Sequence, residues 1–219
     1  MMVRLDDATL GYAGKTVLRG ISISLEPGER VVLLGPSGAG KSTLLNAIYA
    51  QLAGQDARVA FVPQHHGLVP QLSVRRNVYM GRLDDHTAAV NLSRLIFLPR
   101  QIRAEIEAIL SQLGLAGLAE RPVEALSGGQ QQRTALARAL YRGGRAILAD
   151  EPVSAIDPVR SREALRLIAG RFDTALIALH DVTLAREFAT RIVGLRDGGI
   201  MFDRPASRLD DRDIAALYG

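Results

Sequence analysis

The chain has 219 residues, a length for one domain with room for a small appended part, and 47% of it is hydrophobic, which supplies a core and excludes a disordered chain. It contains no cysteine, so disulfides and thiolate metal sites are excluded. The formal charge of +4 is spread over interspersed arginines and aspartates, which reads as a solvated mixed surface rather than a nucleic-acid patch.

No run approaches the roughly 20 apolar residues that span a bilayer. Met1-Met2-Val3-Arg4-Leu5-Asp6 lacks the basic-then-apolar pattern of a secretory leader, so the chain is expected to be soluble and to stay where it is made. Of 27 basic residues only Lys15 and Lys41 are lysines.

In chain order, Val31-Val32-Leu33-Leu34 reads as a buried strand, with a helix from Lys41 to about Leu52. Between them lies Gly35-Pro36-Ser37-Gly38-Ala39-Gly40-Lys41-Ser42-Thr43, a phosphate-binding loop of the form GxxxxGK[ST]. Glycines let backbone N–H groups turn inward around an anion, and the helix start adds positive potential. Lys41 can reach terminal phosphates and Ser42 can hold Mg²⁺. An ordinary Gly-rich turn would not be placed between a strand and a helix in this way. A lysine here, in a chain that otherwise uses arginine, fits the need for a compact point charge.

A second strand spans 58–62. Residues 65–125 then show polar turns and two or three helical patterns but no strand, so they read as an inserted helical subdomain, broken at Pro99 and Pro122. Within it, Ile102, Ile106, Ile109 and Leu113 give an amphipathic core helix rather than a membrane anchor. His65-His66 reads as a loop, because adjacent residues do not share a helix face and no third metal ligand is evident. Arg75-Arg76 reads as a solvated pair.

Leu126-Ser127-Gly128-Gly129-Gln130 precedes a helical stretch over 131–142, a second anion-ready helix start. Ala146-Ile147-Leu148-Ala149 is a strand ending in Asp150-Glu151. Such an ending is common, but beside a phosphate loop it gains meaning: ligands sit beyond the carboxyl ends of parallel strands. Asp150 can hold Mg²⁺, directly or through water, and Glu151 can polarise an attacking water. Strands over 175–179 and 192–195, with helices over 158–170 and 182–190, complete a largely parallel α/β sheet covered by helices.

LSGGQ ahead of an Asp-Glu strand end resembles the ABC ATPase family, and the resemblance covers essentially the whole chain. It implies a P-loop NTPase of the ABC ATPase type. The nucleotide-binding core would be 1–64 and 145–219, and the helical subdomain with its signature about 65–144. In the resemblance, Tyr12 stacks on adenine, and Gly35, Ser37, Gly38, Gly40, Lys41, Ser42 and Thr43 bind ATP. Gln64, in Val62-Pro63-Gln64, touches Mg²⁺ and water and senses the membrane subunit. His180 contacts the γ-phosphate, and Asp157, in Ser154-Ala155-Ile156-Asp157, lines a dimer contact. A lone histidine after a strand is more often a surface residue, and a lone tyrosine near the start is usually core. Their order along the chain favours the family roles.

The family pattern also implies two cassettes meeting head to tail, with Ser127, Gly128, Gly129 and Gln130 of one acting on ATP held by the other; a homodimer is favoured, with one copy and a paralogue as the alternative. Mg²⁺ is the implied cofactor. Transmembrane permease subunits, a substrate-binding protein and a peripheral position on the cytoplasmic face of the inner membrane follow from the same resemblance. Leu72-Ser73-Val74, Asn77-Val78, Gly81-Arg82-Leu83, Leu148-Ala149-Asp150-Glu151-Pro152, Leu195-Arg196-Asp197-Gly198 and Leu217-Tyr218-Gly219 look like the phosphonate-import ATPases. An amino-acid or lipoprotein transporter, and a soluble ABC ATPase acting on nucleic acid, are the alternatives; the last lacks the coiled coil or second cassette it would need. Gln64 follows Lys41 by only 23 positions. The strands that usually lie there are expected to be trimmed, leaving a reduced antiparallel part.

Overall fold

Five parallel strands, the five expected from apolar runs, form the centre of the structure, a computed structural model that describes residues 2–12, 14–55 and 58–219. They are β3 (Arg30–Leu34), β4 (Val59–Val62), β5 (Ala146–Asp150), β6 (Thr174–Ala178) and β7 (Arg191–Arg196). Preceding them, β1 (Val3–Tyr12) and β2 (Lys15–Leu25) make a separate antiparallel pair, and β8 (Gly199–Pro205) adds an antiparallel edge to the main sheet. The main sheet runs β4-β5-β6-β3-β7-β8.

Strands buried on both faces must divide their residues between two cores, because side chains alternate along a strand. Val32, Leu34, Ile147, Ala149 and Ile177 enter one core; Val31, Leu33, Leu148, Leu176 and Ala178 enter the other. Helix α1 (Lys41–Ala53) covers the second face with Leu44, Leu45, Ile48 and Leu52, and the β1–β2 pair adds Val3, Leu18, Ile21, Ile23 and Leu25 to the same core.

The first face takes the helices between β4 and β5: α2 (Val74–Tyr79), α3 (Ala88–Ile96), α4 (Arg100–Gln112) and α5 (Gly128–Arg142). It also takes α6 (Pro158–Arg171) and α7 (Val182–Phe188), with α8 (Asp211–Tyr218) at the chain's end. Each fully buried leucine or isoleucine contributes about 1.5–3 kcal/mol. Polar links orient the helical part: Arg82 lies 4.2 Å from the Tyr141 ring centre and pairs twice with Glu105 of α4 at 2.9 and 3.2 Å.

Two helix ends differ from the sequence reading. Helix α5 starts at Gly128 rather than 131, because Ser127 and Gln130 form a reciprocal cap that draws the glycines into the first turn. Helix α7 stops at Phe188 rather than 190. The Thr190 N–H donates to the Arg30 carbonyl at 2.8 Å and its hydroxyl accepts from the Arg30 N–H at 2.9 Å, so Thr190 is drawn onto β3.

Candidate functional site: four strand ends and a bare helix start

Adjacent strands in the order β4-β5-β6-β3 end on the same side, because they are parallel. Gln64 therefore follows β4, Asp150 and Glu151 end β5, His180 follows β6, and the phosphate loop follows β3. The sheet brings together side chains that lie more than a hundred positions apart in sequence.

The phosphate loop wraps the start of α1. Gly40 caps that helix at φ +98°, a conformation favouring glycine, and a Cβ there would come within 2.6 Å of the Leu18 side chain. The cap has no side-chain acceptor and the first turn has no acidic residue. Helices α5, α6 and α7 are instead capped by Ser127, Asp157 and Asp181. The opening N–H groups of α1 are thus left for an outside acceptor. Gly35 and Gly40 are buried, Ser37 and Gly38 exposed, and Ser42 and Thr43 half-buried.

Lys41 is buried, and its Nζ donates to the carbonyls of Gly35 at 2.7 Å and Pro36 at 3.0 Å. Burial lowers its pKa, while the carboxylates of Glu151 and Asp150 oppose that shift. The ammonium is held over the loop by two acceptors that an anionic oxygen can complement or replace.

Asp150 is 6% exposed, and its Oδ1 is buried with no partner. Burial raises its pKa most and Glu151 adds to the rise. A hydrogen bond from Ser42, with the charges of Lys41 and His180, opposes it. An orphaned carboxylate oxygen beside a serine hydroxyl fits Mg²⁺, which takes few protein ligands and completes its shell with water and phosphate oxygens. Among the described residues no cluster of three or more His, Asp or Glu could hold a metal alone.

Glu151 adopts φ +53°, and its N–H donates to the Ala178 carbonyl at 3.1 Å. Its side chain is mostly buried and contacts His180 Nε2 through Oε1. A hollow of about 230 Å³ lies beside the pair, lined by Glu151, Ser154, Ile156 and His180 among others. Gln64 is exposed at the end of β4.

The remaining sequence-predicted residues sit elsewhere. Ser127 accepts from the Gln130 N–H at 3.4 Å, and Gln130 Oε1 accepts from the Ser127 N–H at 3.0 Å, at the start of α5. Among the described residues, no hydrogen bond or ion pair joins residues 127–130 to the phosphate loop. Asp157 caps α6, accepting from the Arg160 N–H at 3.1 Å. Tyr12 ends β1 and is 64% exposed, and among the described residues it has no hydrogen bond or ring contact with the loop. Ala13, beside it, lies outside the described residues.

Two residues were missed by the sequence reading. Tyr218, in α8, accepts from the Gly35 N–H at 3.3 Å, so the final helix touches the first residue of the phosphate loop. Gln132 is a buried amide that bonds the segment after β5. Gln132 is one of three consecutive glutamines, 130–132, and nothing in the sequence singles it out.

Comparison with known proteins gives a consistent picture. The ABC transporter family profile matches residues 18–154. The phosphonates import ATP-binding protein of Alcaligenes faecalis is 37% identical, covering 100% of this chain and 88% of its own. The phosphite import ATP-binding protein of Stutzerimonas stutzeri is 39% identical, over 99% of this chain and 87% of its own. Among solved structures, a dimeric bacterial ABC transporter cassette superposes with a TM-score of 0.79 at 27% identity, covering 93% of this chain and 98% of that one. A post-hydrolysis dimer of the same cassette, bound to ADP and phosphate, gives 0.78 at the same identity. A profile spanning more than half of the sequence, and relatives matched nearly end to end, make the chain a member of the ABC transporter ATPase family.

Proposed function

We propose that this chain is the ATP-hydrolysing subunit of an importer for phosphonate or a similar small phosphorus oxyanion. The observation that carries the substrate class is the set of relatives, 34–39% identical over nearly the whole chain and named for phosphonate or phosphite import. The site supports the chemistry and is silent on cargo, which other subunits would read.

Hydrolysis transfers the terminal phosphoryl group of ATP to water. The phosphate loop N–H groups and Lys41 hold the β- and γ-phosphates, with Gly35, Ser37, Gly38, Gly40 and Thr43 shaping the loop. Ser42, Asp150 and Gln64 would hold Mg²⁺, which supplies charge neutralisation on the phosphate oxygens. Glu151 accepts a proton from the attacking water as the bond from the γ-phosphorus to the bridging oxygen breaks, releasing ADP and phosphate. His180 bridges Glu151 and the γ-phosphate, and Tyr12 stacks on adenine.

Ser127 and Gly129 of a second copy complete each site, with Asp157 at the contact between copies. Ser127 and Gly128 are exposed at the start of α5, which leaves them accessible to a second copy. Residues 65–144 form the arm that carries this signature and faces the permease. A groove of about 490 Å³ between Tyr49, Phe61, Pro63, Met80, Leu83 and Arg142 lies where the sheet meets that arm, and suits a permease segment. Among the described residues no helix is long and apolar enough to cross a membrane, so attachment to the inner face would be peripheral, through the permease.

The test is reconstitution with candidate permease and binding-protein partners. ATP turnover should rise several-fold when the binding protein is loaded with a phosphonate or phosphite, and stay basal with amino acids. Stimulation by an amino acid alone would overturn the substrate class. A second expectation concerns Tyr218. Tyr218→Phe should weaken ATP affinity about two- to tenfold, the worth of one net hydrogen bond. Titration calorimetry reads this, and an unchanged affinity would mean that α8 does not help set the loop.

A further inference from the structure

Gln132 lies in α5, 3% exposed, and spends its side chain on one loop. Its amide nitrogen donates to the Glu151 carbonyl and to Ser154 Oγ, the latter at 2.9 Å. Its amide oxygen accepts from the Ala155 N–H, also at 2.9 Å. Both donors and one acceptor position of the amide therefore serve residues 151–155.

The residue held this way is strained. Glu151 sits at φ +53°, a conformation that costs a non-glycine residue on the order of 1–3 kcal/mol and persists only where neighbours over-determine it. Its N–H is fixed by β6 through Ala178, and its carbonyl accepts from Gln132 in α5 and, at 3.3 Å each, from the N–H and hydroxyl of Ser154 in its own turn. One turn earlier in α5, Gly129 lies against the Ala155 carbonyl so closely that a Cβ would approach to 2.5 Å. The start of α5 and the 151–157 segment are thus locked by three hydrogen bonds and a backbone contact. They are bound to move together, because packed elements shift as units.

We infer that Gln132 is a positioning residue that aims Glu151 and couples the two nucleotide sites of the dimer. The inference rests on the reading above, in which the signature at the start of α5 serves the partner's ATP while Glu151 serves its own chain's ATP. A shift of α5 as it closes on the partner's nucleotide is passed by the Gln132 amide to the Glu151 peptide. The backbone turn that points the carboxylate then responds to the state of the opposite site. A buried amide that only satisfies a loop would carry stability but no such coupling.

The test uses the full chain and measures ATP hydrolysis against ATP concentration, ATP affinity and Tm for three variants. Gln132→Met keeps length and removes every hydrogen bond. Gln132→Glu keeps shape and the acceptor for Ala155 but loses the donors to Glu151 and Ser154. Glu151→Gln is the control for the base itself. With two sites per dimer, wild-type hydrolysis should show a Hill coefficient between 1 and 2.

Both Gln132 variants should lower kcat about 10–100-fold, as expected for a group that orients a reacting one, with KM within about twofold. Their Hill coefficients should fall to 1 at temperatures well below each variant's Tm. If Gln132→Met fails to fold, Gln132→Glu alone decides. Retained kcat and cooperativity in a folded Gln132 variant overturn the inference, as does a loss carried by KM or Tm alone. Wild-type turnover by Glu151→Gln would instead strike the base assignment, a separate failure.

Discussion

Glu151→Gln is expected to bind ATP within about twofold of wild type and to hydrolyse it on the order of 10²–10⁴-fold more slowly, the usual worth of a general base. The change is nearly isosteric, and the amide oxygen can still accept from His180 Nε2, so the geometry at the end of β5 should hold. On the proposed reading ATP affinity would come mainly from the phosphate loop, the bare start of α1 and Lys41, none of which the substitution touches. Removing a carboxylate beside the phosphates also removes repulsion, so affinity should not fall. What disappears is the only change that matters to the chemical step, a group able to take the proton from water.

Binding without turnover should trap the sandwiched state. In size-exclusion chromatography the variant should run as a dimer with MgATP and as a monomer with ADP. Lys41→Ala should lose both binding and dimer, which separates the two kinds of defect. Wild-type turnover by Glu151→Gln would move the base elsewhere.

How much of this was legible in the sequence depended on where the information lay. The five parallel strands were readable because each is buried on both faces and so appears as an unbroken apolar run. The phosphate loop and the Asp150-Glu151 strand end were readable because each is a local constellation whose chemistry needs contiguous residues.

The β1–β2 pair was not readable as strands. Its alternation is interrupted by register shifts between Leu5 and Gly11, with Asp7 at φ +47°, and half of its residues face water. Strand β8 hides for a similar reason, since only Phe202 is buried along it. Its turn was nevertheless written in Asp197-Gly198, at φ +51° and +78°, the pairing that a tight two-residue hairpin favours.

Tyr218 and Gln132 were illegible for a different reason. Their partners, Gly35 and residues 151–155, lie 183 and about 20 positions away, and only the tertiary structure brings them into contact. The short link from α1 to β4 follows from the 23-position spacing, but its residues 56 and 57 lie outside the described part.

Asp150→Asn should change stability and function in opposite directions. Asp150 is buried, its Oδ1 has no partner, and burial raises its pKa above the ordinary carboxylate value. Between the ordinary value and the raised one, the folded state binds the proton more tightly than the unfolded chain does. The stability this group supplies is therefore complete below the ordinary value and lost as pH rises through the raised one. Above that window an ionised, under-satisfied carboxylate remains buried, a cost of about 1–3 kcal/mol.

Asparagine removes the charge and keeps the shape. Without nucleotide or metal, Asp150→Asn should melt about 2–4 °C higher than wild type for each kcal/mol recovered. The gap should close on acidification, as the wild-type carboxyl takes up its proton. Adding MgATP should reverse the order. Ligand at a hundred times its Kd stabilises wild type by about 2.7 kcal/mol, and the variant, short of one anionic oxygen, should gain less. Its turnover should fall on the order of 10²–10³-fold, in line with losing one charge-stabilising group. Thermal melts across pH, with and without MgATP, read all of this. A ligand-free variant less stable than wild type at pH 8 would make Asp150 an ordinary structural carboxylate. The crossing of the two melting orders is the signature of a residue kept for its charge at the expense of the fold.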